Sequence, residues 1–203
     1  MSDALSPYAE LYANPSGPGD QRPTALQVVE DSGAKGTRTG RVVLVTGGTA
    51  GIGVETVRAM HSTGADVYFT ARSLEMAAAT TEDMDLDSLD SVRKAARDFL
   101  TINILVNNAG TNHGLLHSRR ADDAVATQMM SPPQGAATSV WAAVAKACEG
   151  NGGKYLAHCG VAGTADAAAS ILDPGAAPHA YDLDGEDRLW ELSAKLVGLE
   201  KDV

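Results

Sequence analysis

The chain has 203 residues, with 44% apolar and 21% charged side chains, ordinary globular usage that excludes wholesale disorder or a fibrous repeat and suits one sizeable domain. The 16 basic and 26 acidic residues give a formal charge of −10, which argues against nucleic acid or an anionic membrane surface as main partner. Cys148 and Cys159 alone make neither a disulfide scaffold nor a four-ligand zinc site. No apolar run approaches the ~18 residues of a membrane span, and the N-terminus lacks the basic start and apolar stretch of a secretory signal. A cytoplasmic protein is the expectation.

Residues 1–40 read as an N-terminal arm, partly ordered. Asn14 to Pro23 is turn-rich, Ser32 to Gly40 is rich in Gly, Ser, Thr and charge, and Thr24 to Glu30 suits a short helix. The pattern then changes. Arg41 to Thr46 (RVVLVT) is an apolar, β-branched run of the kind found in a strand buried on both faces of a parallel sheet. A glycine-rich turn, Gly47 to Gly53, leads into helical spacing over Val54 to Ser62, and Ala65 to Thr70 is a second strand. Ser88 to Leu100 is an amphipathic helix with Ser88 as cap. Ile102 to Val106 is a third buried strand, followed by Asn107-Asn108-Ala109-Gly110. Strands alternating with helices predict an α/β fold with a parallel sheet.

Beyond Asn112 the period is lost as far as Met130. Gly135 to Glu149 predicts an Ala-rich helix, with Val140, Trp141, Val144 and Cys148 at helical spacing. Lys154 to His158 predicts a last strand, and Asp173 to Gly185 a loop. Glu186 to Leu199 predicts a closing helix with a stripe of Leu189, Leu192, Leu196 and Leu199. Trp141 and Trp190 both read as packing residues.

Thr46 to Gly53 (TGGTAGIG) lies between a buried strand and a helix. A helix N-terminus presents free N–H groups and a partial positive charge, so it attracts a pyrophosphate. Glycines serve where backbone must approach the phosphates or the helix must pack tightly on the sheet. The spacing is G-x-x-x-G-x-G, and without a following Lys-Ser or Lys-Thr it is not a P-loop.

TGGTAGIG at 46–53 together with NNAG at 107–110, each at a strand end, resembles the short-chain dehydrogenase/reductase family. The resemblance is closest to its retinol-dehydrogenase-like branch, which includes the WW-domain oxidoreductase. It extends in blocks to the lead-in (NPSGPGDQRPTALQ) and the tail (SPPQGAATSVWAAVAKACEGNGGKY, APHAYD and GEDRLWELSAKLVGL). It implies a Rossmann-type doubly wound sheet over 41–203, with NADP as cofactor and nicotinamide dinucleotide as partner. Carried over by position, Gly47, Gly51 and Gly53 would shape the pyrophosphate turn, lined by Thr49 and Ile52. Arg72 would meet the 2′-phosphate of NADP, and Asp85 and Leu86 would flank the adenine. Asn107, Ala109 and Gly110 would pass beside the adenosine half. Asn112 is the candidate for the family's catalytic asparagine.

The family's reaction also needs a tyrosine, a lysine four residues later that lowers the tyrosine's pKa, and a serine that orients the carbonyl. A phenol near ~10 is a poor acid–base group at neutral pH without such help. The lysines stand at 35, 94, 146, 154, 195 and 201, and the residues four before them are Asp31, Asp90, Ala142, Gly150, Glu191 and Val197. Tyr-x-x-x-Lys is absent. The family carries those elements between its NNAG strand and its P-x-Q-G-A-A-T helix, where this chain has only residues 111–130. One βαβ unit alone takes ~30 residues. A second shortfall lies between Arg72 and Asp85. The sheet is therefore expected to be truncated in its central and C-terminal part.

Other constellations are weaker. Glu82, Asp83, Asp85, Asp87 and Asp90 suggest calcium, but an EF-hand from Asp83 would need Gly and Glu where Ser88 and Lys94 stand. His113 and His117 have an i, i+4 metal spacing without a third ligand. Tyr155, His158 and Cys159 read as core and edge positions, since on a strand His158 would point away from the other two. Arg119-Arg120 reads as surface charge. Three functional readings remain. The leading one is a dehydrogenase-like chain that binds NADP but cannot run hydride transfer on a small lipophilic carbonyl or alcohol. The second is a fragment from altered splicing or a faulty gene model. The third is an active oxidoreductase using an unrecognised acid or a partner subunit.

Overall fold

The computed structural model describes residues 5–71, 102–110, 123–166 and 175–199. The chain divides into two compact units, one ending at Val161 and one starting at Ala162, and each is taken by itself.

The first unit begins with α1 (Ala9–Tyr12) and α2 (Ala25–Asp31). Thr24 caps α2, its side chain accepting from the Gln27 N–H. Then come β1 (Val42–Val45), α3 (Gly51–Ser62), β2 (Asp66–Phe69) and β3 (Ile104–Val106). After them lie α4 (Asp123–Gln128), α5 (Pro132–Gly135), α6 (Ala137–Val144) and the strands β4 (Leu156–Ala157) and β5 (Gly160–Val161). The sheet order is β2-β1-β3, all parallel. This is the expected α/β arrangement.

Register and period decide which side chains meet. Val43 pairs with Val67 and Ile104, and Val45 with Phe69 and Val106, so these six share one face. That face joins the core with the buried side of α3, where Thr56, Val57 and Met60 recur at i, i+1 and i+4. α2 and α6 pack against each other and against α3, adding Val28, Val29, Val140, Trp141 and Val144. Each fully buried valine contributes roughly 1.5–3 kcal/mol.

Several expectations need correction. The lead-in does not behave as a partly ordered arm: Tyr12, Ala25, Val28, Val29 and Ala34 belong to the core. The reason is that Ala25, Val28 and Val29 lie on one side of a single helix, which packs on α3 and α6. The third strand is shorter than 102–106 and is not buried on both faces, with Leu105 54% exposed. Among the described residues it stands at the end of the sheet, with one neighbouring strand. The Ala-rich segment is not one helix over 135–149. α5 and α6 abut at Ala136, and Ala145 turns extended (φ −74°, ψ 129°) before a short 3₁₀ turn, Lys146–Cys148. The strand over 154–158 shrinks to Leu156–Ala157, because the chain reverses at once and pairs antiparallel with Gly160–Val161. His158 and Cys159 form that reversal, both in the left-handed region (φ 56° and 53°), the backbone of a type I′ hairpin turn.

In the second unit an isolated parallel bridge links Thr164 and Ala176, followed by a 3₁₀ turn, Pro178–Tyr181, and α7 (Leu183–Leu196). Asp182 caps α7, accepting from the Gly185 N–H at 3.1 Å. The closing helix is present, but Trp190 is not a packing residue there: it is 66% exposed. The predicted helix over 88–100, the acidic cluster from Glu82 to Asp90, the His113/His117 pair and Arg119-Arg120 lie outside the described residues. Among the described residues no helix is long and apolar enough to cross a membrane. No group of three or more metal-ligating side chains is brought together there either.

Candidate dinucleotide-binding site

The turn after β1 is held from both sides by the ends of its neighbouring strands. On the β2 side, the Gly47 N–H donates to Thr70 Oγ1 at 2.9 Å and the Gly48 N–H to the Thr70 carbonyl at 3.1 Å. On the β3 side, Asn108 Nδ2 donates to the carbonyls of Thr46 (3.0 Å) and Gly47 (3.3 Å). The Ala109 N–H donates to Thr46 Oγ1 at 2.9 Å. Polar groups at the ends of all three strands thus converge on Thr46 to Gly48, which fixes where the loop leaves the sheet.

The glycines are there because the space is taken. A Cβ on Gly48 would lie 2.5 Å from Phe69 Cβ, and one on Gly53 would collide with the Gly47 carbonyl oxygen and lie 2.6 Å from Asn108 Nδ2. Gly47 combines a left-handed φ of 69° with Ala109 Cα at 3.0 Å from its would-be Cβ. Gly53 therefore lets α3 seat directly on the turn. Gly51 differs: its φ is 55°, and a Cβ there would meet nothing within 4 Å. The turn is open on that side.

α3 starts from Ala50 (φ −153°, ψ 159°), which makes no side-chain capping bond. The first-turn N–H groups of a helix have no intrahelical partners and carry partial positive charge. With no side chain capping them and open space at Gly51, they suit a phosphate group. Ile52 follows, 44% exposed, with its Cδ1 2.9 Å from where a Cβ on Gly135 would stand. α5 thereby packs on the start of α3.

Of the residues singled out from sequence, Gly47, Thr49, Gly51, Ile52 and Gly53 form this turn. Asn107, Ala109 and Gly110 follow β3, with Ala109 against Gly47. Arg72, Asp85, Leu86 and Asn112 lie outside the described residues. Sequence reasoning passed over Gly48, Asn108, Thr46 and Thr70. The first two had a signal, since both stand inside the motifs already quoted. Thr46 also opens the quoted glycine motif, while Thr70 had no signal, because its role depends on strand register.

A second polar cluster lies around the β4–β5 reversal. Cys159 is buried, with Sγ 3.6 Å from the Tyr12 hydroxyl and 3.9 Å from Thr138 Oγ1. The rings of Tyr12 and His158 stack at 4.4 Å. Burial pushes the Cys159 thiol up, and burial followed by the charge of Arg22 pushes His158 down. A buried thiol with a raised pKa is inert. The core reading of Cys159 therefore holds, although turn geometry rather than strand alternation orients it. Tyr155 is exposed.

The comparisons with known proteins agree with the turn geometry. Residues 41–171 match the family model for short chain dehydrogenases. The short-chain dehydrogenase/reductase prx1 of Penicillium rubens is 26% identical over 326 positions, covering 96% of this chain and 96% of the relative. Oxidoreductase calI of Penicillium decumbens is 37% identical over 129 positions, covering 53% of this chain and 37% of the relative. A solved metagenomic short-chain oxidoreductase in complex with NADP is 25% identical, covers 62% of this chain and 69% of that one, and has a TM-score of 0.34. A likeness that loose transfers no side-chain geometry. The family model spans well over half of the chain, on the very segment that carries the glycine turn and the NNAG strand end: this protein belongs to the short chain dehydrogenase family.

Proposed function

We propose that this chain binds NADP(H) at the glycine turn and does not catalyse the family's hydride transfer. The observation that carries the binding half is the uncapped start of α3 at Ala50 beside the open side of Gly51. There the N–H groups of the first turn would hold the pyrophosphate, with Thr49 and Ile52 beside it. Asn107, Ala109 and Gly110 would flank the adenosine half. Arg72, Asp85 and Leu86 are assigned to the 2′-phosphate and the adenine by their positions in the family pattern, and Asn112 to the catalytic set in the same way.

Bound NADPH would supply a hydride, but a carbonyl oxygen that accepts it also needs a proton donor. No lysine of this chain follows a tyrosine by four residues. Tyr8 and Tyr12 do not fill the gap, because burial pushes both phenols above the ordinary 10.0, helped in Tyr8 by its hydrogen bond to Asp31. The family's tyrosine works through a shift in the other direction.

The inactive reading goes with an internal shortening. A chain of 203 residues cannot fill 326 aligned positions, so at least 123 of them (326 − 203) face no residue here, although the alignment reaches 96% of both chains. That supports loss from within rather than from an end. The same blocks of lead-in and tail lead us to assign the ancestry to the retinol-dehydrogenase-like, WW-domain-oxidoreductase-like branch.

Thermal unfolding of the purified chain with excess NADPH or NADH tests the binding half. Ligand at 100 times its dissociation constant adds about 2.7 kcal/mol. We expect one cooperative transition, raised more by NADPH than by NADH, and no turnover of either nucleotide with small lipophilic carbonyl compounds. A midpoint indifferent to both would sink the reading and favour a fragment without independent function. Turnover would overturn the inactive half alone.

A further inference from the structure

The lead-in is tied to the segment before α6 by a buried knot of charge. Asp20 Oδ1 accepts from Arg22 Nε at 2.9 Å and from Gln134 Nε2 at 3.0 Å, and Asp20 Oδ2 accepts from the Ser16 N–H at 2.8 Å. The side chains of Asp20 and Arg22 are each 3% exposed. The Arg22 guanidinium also donates to the carbonyls of Gly17, Gln128 and Met129. Gln134 is 1% exposed and uses both ends: Nε2 donates to the carbonyls of Asp20 and Arg22, while Oε1 accepts from the N–H groups of Gly19 and Ser131. The bond from Arg22 holds the Asp20 carboxyl well below the usual carboxylate range. Every polar atom at the centre of the knot is used, so Gln134 is fixed in position and orientation.

The next residue along the chain is Gly135, and Ile52 lies where its Cβ would stand. Ile52 is the second residue of α3. We propose that Gln134 is a positioning residue: the Asp20–Arg22–Gln134 knot seats Gly135 against Ile52 and so aims the first turn of α3 at the nucleotide. This rests on the reading of that turn as the pyrophosphate site. It makes the lead-in part of the nucleotide-binding apparatus, although it touches no nucleotide. Asn108 braces the same turn from the sheet side, and the knot braces it from the helix side.

The test is a double-substitution cycle on the full chain, reading NADPH affinity by fluorescence titration beside the urea midpoint. Gln134→Leu keeps the volume and removes every bond. We expect it to weaken NADPH binding about tenfold, Ile52→Ala to weaken it by a similar factor, and the pair to be no weaker than Ile52→Ala alone, the mark of two groups acting through one contact. Binding within about twofold of the parent in a folded Gln134→Leu chain, or effects that multiply in the pair, would overturn the proposal. If Gln134→Leu does not fold, Gly135→Ala leaves the knot whole and displaces Ile52. It should weaken NADPH several-fold at an unchanged urea midpoint, and unchanged affinity overturns the proposal. A parent chain that binds no NADPH defeats the functional reading instead. The positioning claim is then read from amide hydrogen exchange of Gly135→Ala. Exchange at Val54 and Glu55, the first amides of α3 with intrahelical partners, should quicken about tenfold relative to Met60 at the other end of the helix, and an equal change along the helix would overturn it.

Discussion

α3 and α7 are both amphipathic helices that begin at a residue with extended backbone, yet α3 buries Thr56, Val57, Ala59 and Met60 while α7 buries none of its residues. Leu189, Trp190, Leu192 and Leu196 of α7 stay exposed, Leu196 as much as 77%. The difference lies in what surrounds each helix rather than in its own pattern. α3 is bound to the sheet by its connections at both ends, since β1 and β2 pair side by side and leave it one face to cover. An apolar stripe says which side of a helix avoids water, and says nothing about what will cover it.

The largest effect that would break this comparison comes from the two tryptophans. Trp141→Ala opens a cavity in the core and should cost about 3–5 kcal/mol, whereas Trp190→Ala should change stability by no more than about 0.5 kcal/mol. Urea unfolding of both variants decides it, and equal losses would show that α7 packs as fully as α6. Next comes Gly53→Ala. A methyl there meets the Gly47 carbonyl oxygen, backbone that cannot turn aside, so a cost of about 1–3 kcal/mol and loss of the NADPH-dependent rise in midpoint are expected. Stabilisation by NADPH that survives this change would mean that the tight seat of α3 on the turn is not needed.

Asn108→Ala sharpens the comparison from the sheet side. It removes the donor to the Thr46 and Gly47 carbonyls and should cost about 1–2 kcal/mol. NADPH affinity should fall by more than the change in midpoint implies, which isothermal titration of the variant reads directly. The smallest effect is one of pH. Burial and Arg22 depress His158 below its ordinary 6.5, so the unfolded chain binds that proton more readily than the folded one. This contribution is complete above 6.5, declines as the pH falls from there through the folded value, and is constant below it. His158→Asn suits the left-handed turn and cannot titrate. The difference in midpoint between parent and variant should therefore change as the pH falls below the ordinary 6.5, and a constant difference would mean that His158 is not depressed in the folded chain.

Much of the site was legible because its residues stand together in the chain. TGGTAGIG between a β-branched run and a helical spacing gave the turn, and NNAG gave the strand end that meets it. Gly48 and Asn108 were visible as letters, but the need for them comes from Phe69 and from the Thr46 and Gly47 carbonyls, which are close only once the strands are in register. The lead-in shows the same limit. Thr24 and the Ala25, Val28, Val29 spacing announced a helix, while Asp20, Arg22 and Gln134 gave no sign that they would meet across more than 100 positions. The β4–β5 reversal was missed for a further reason: His-Cys is an unusual pair for two consecutive left-handed residues, which Asn and Gly fill more readily.

The sequence alone therefore determined the class of fold, the place of the glycine turn, and the lack of a tyrosine–lysine pair. Each of these depends on local period or on residues a few positions apart. Only the tertiary structure decided that the lead-in belongs to the core, that β3 leaves Leu105 open, and that Gly135 abuts Ile52. Burial and fixed polar contacts depend on distances between segments far apart in the chain, and a single sequence carries no record of those distances.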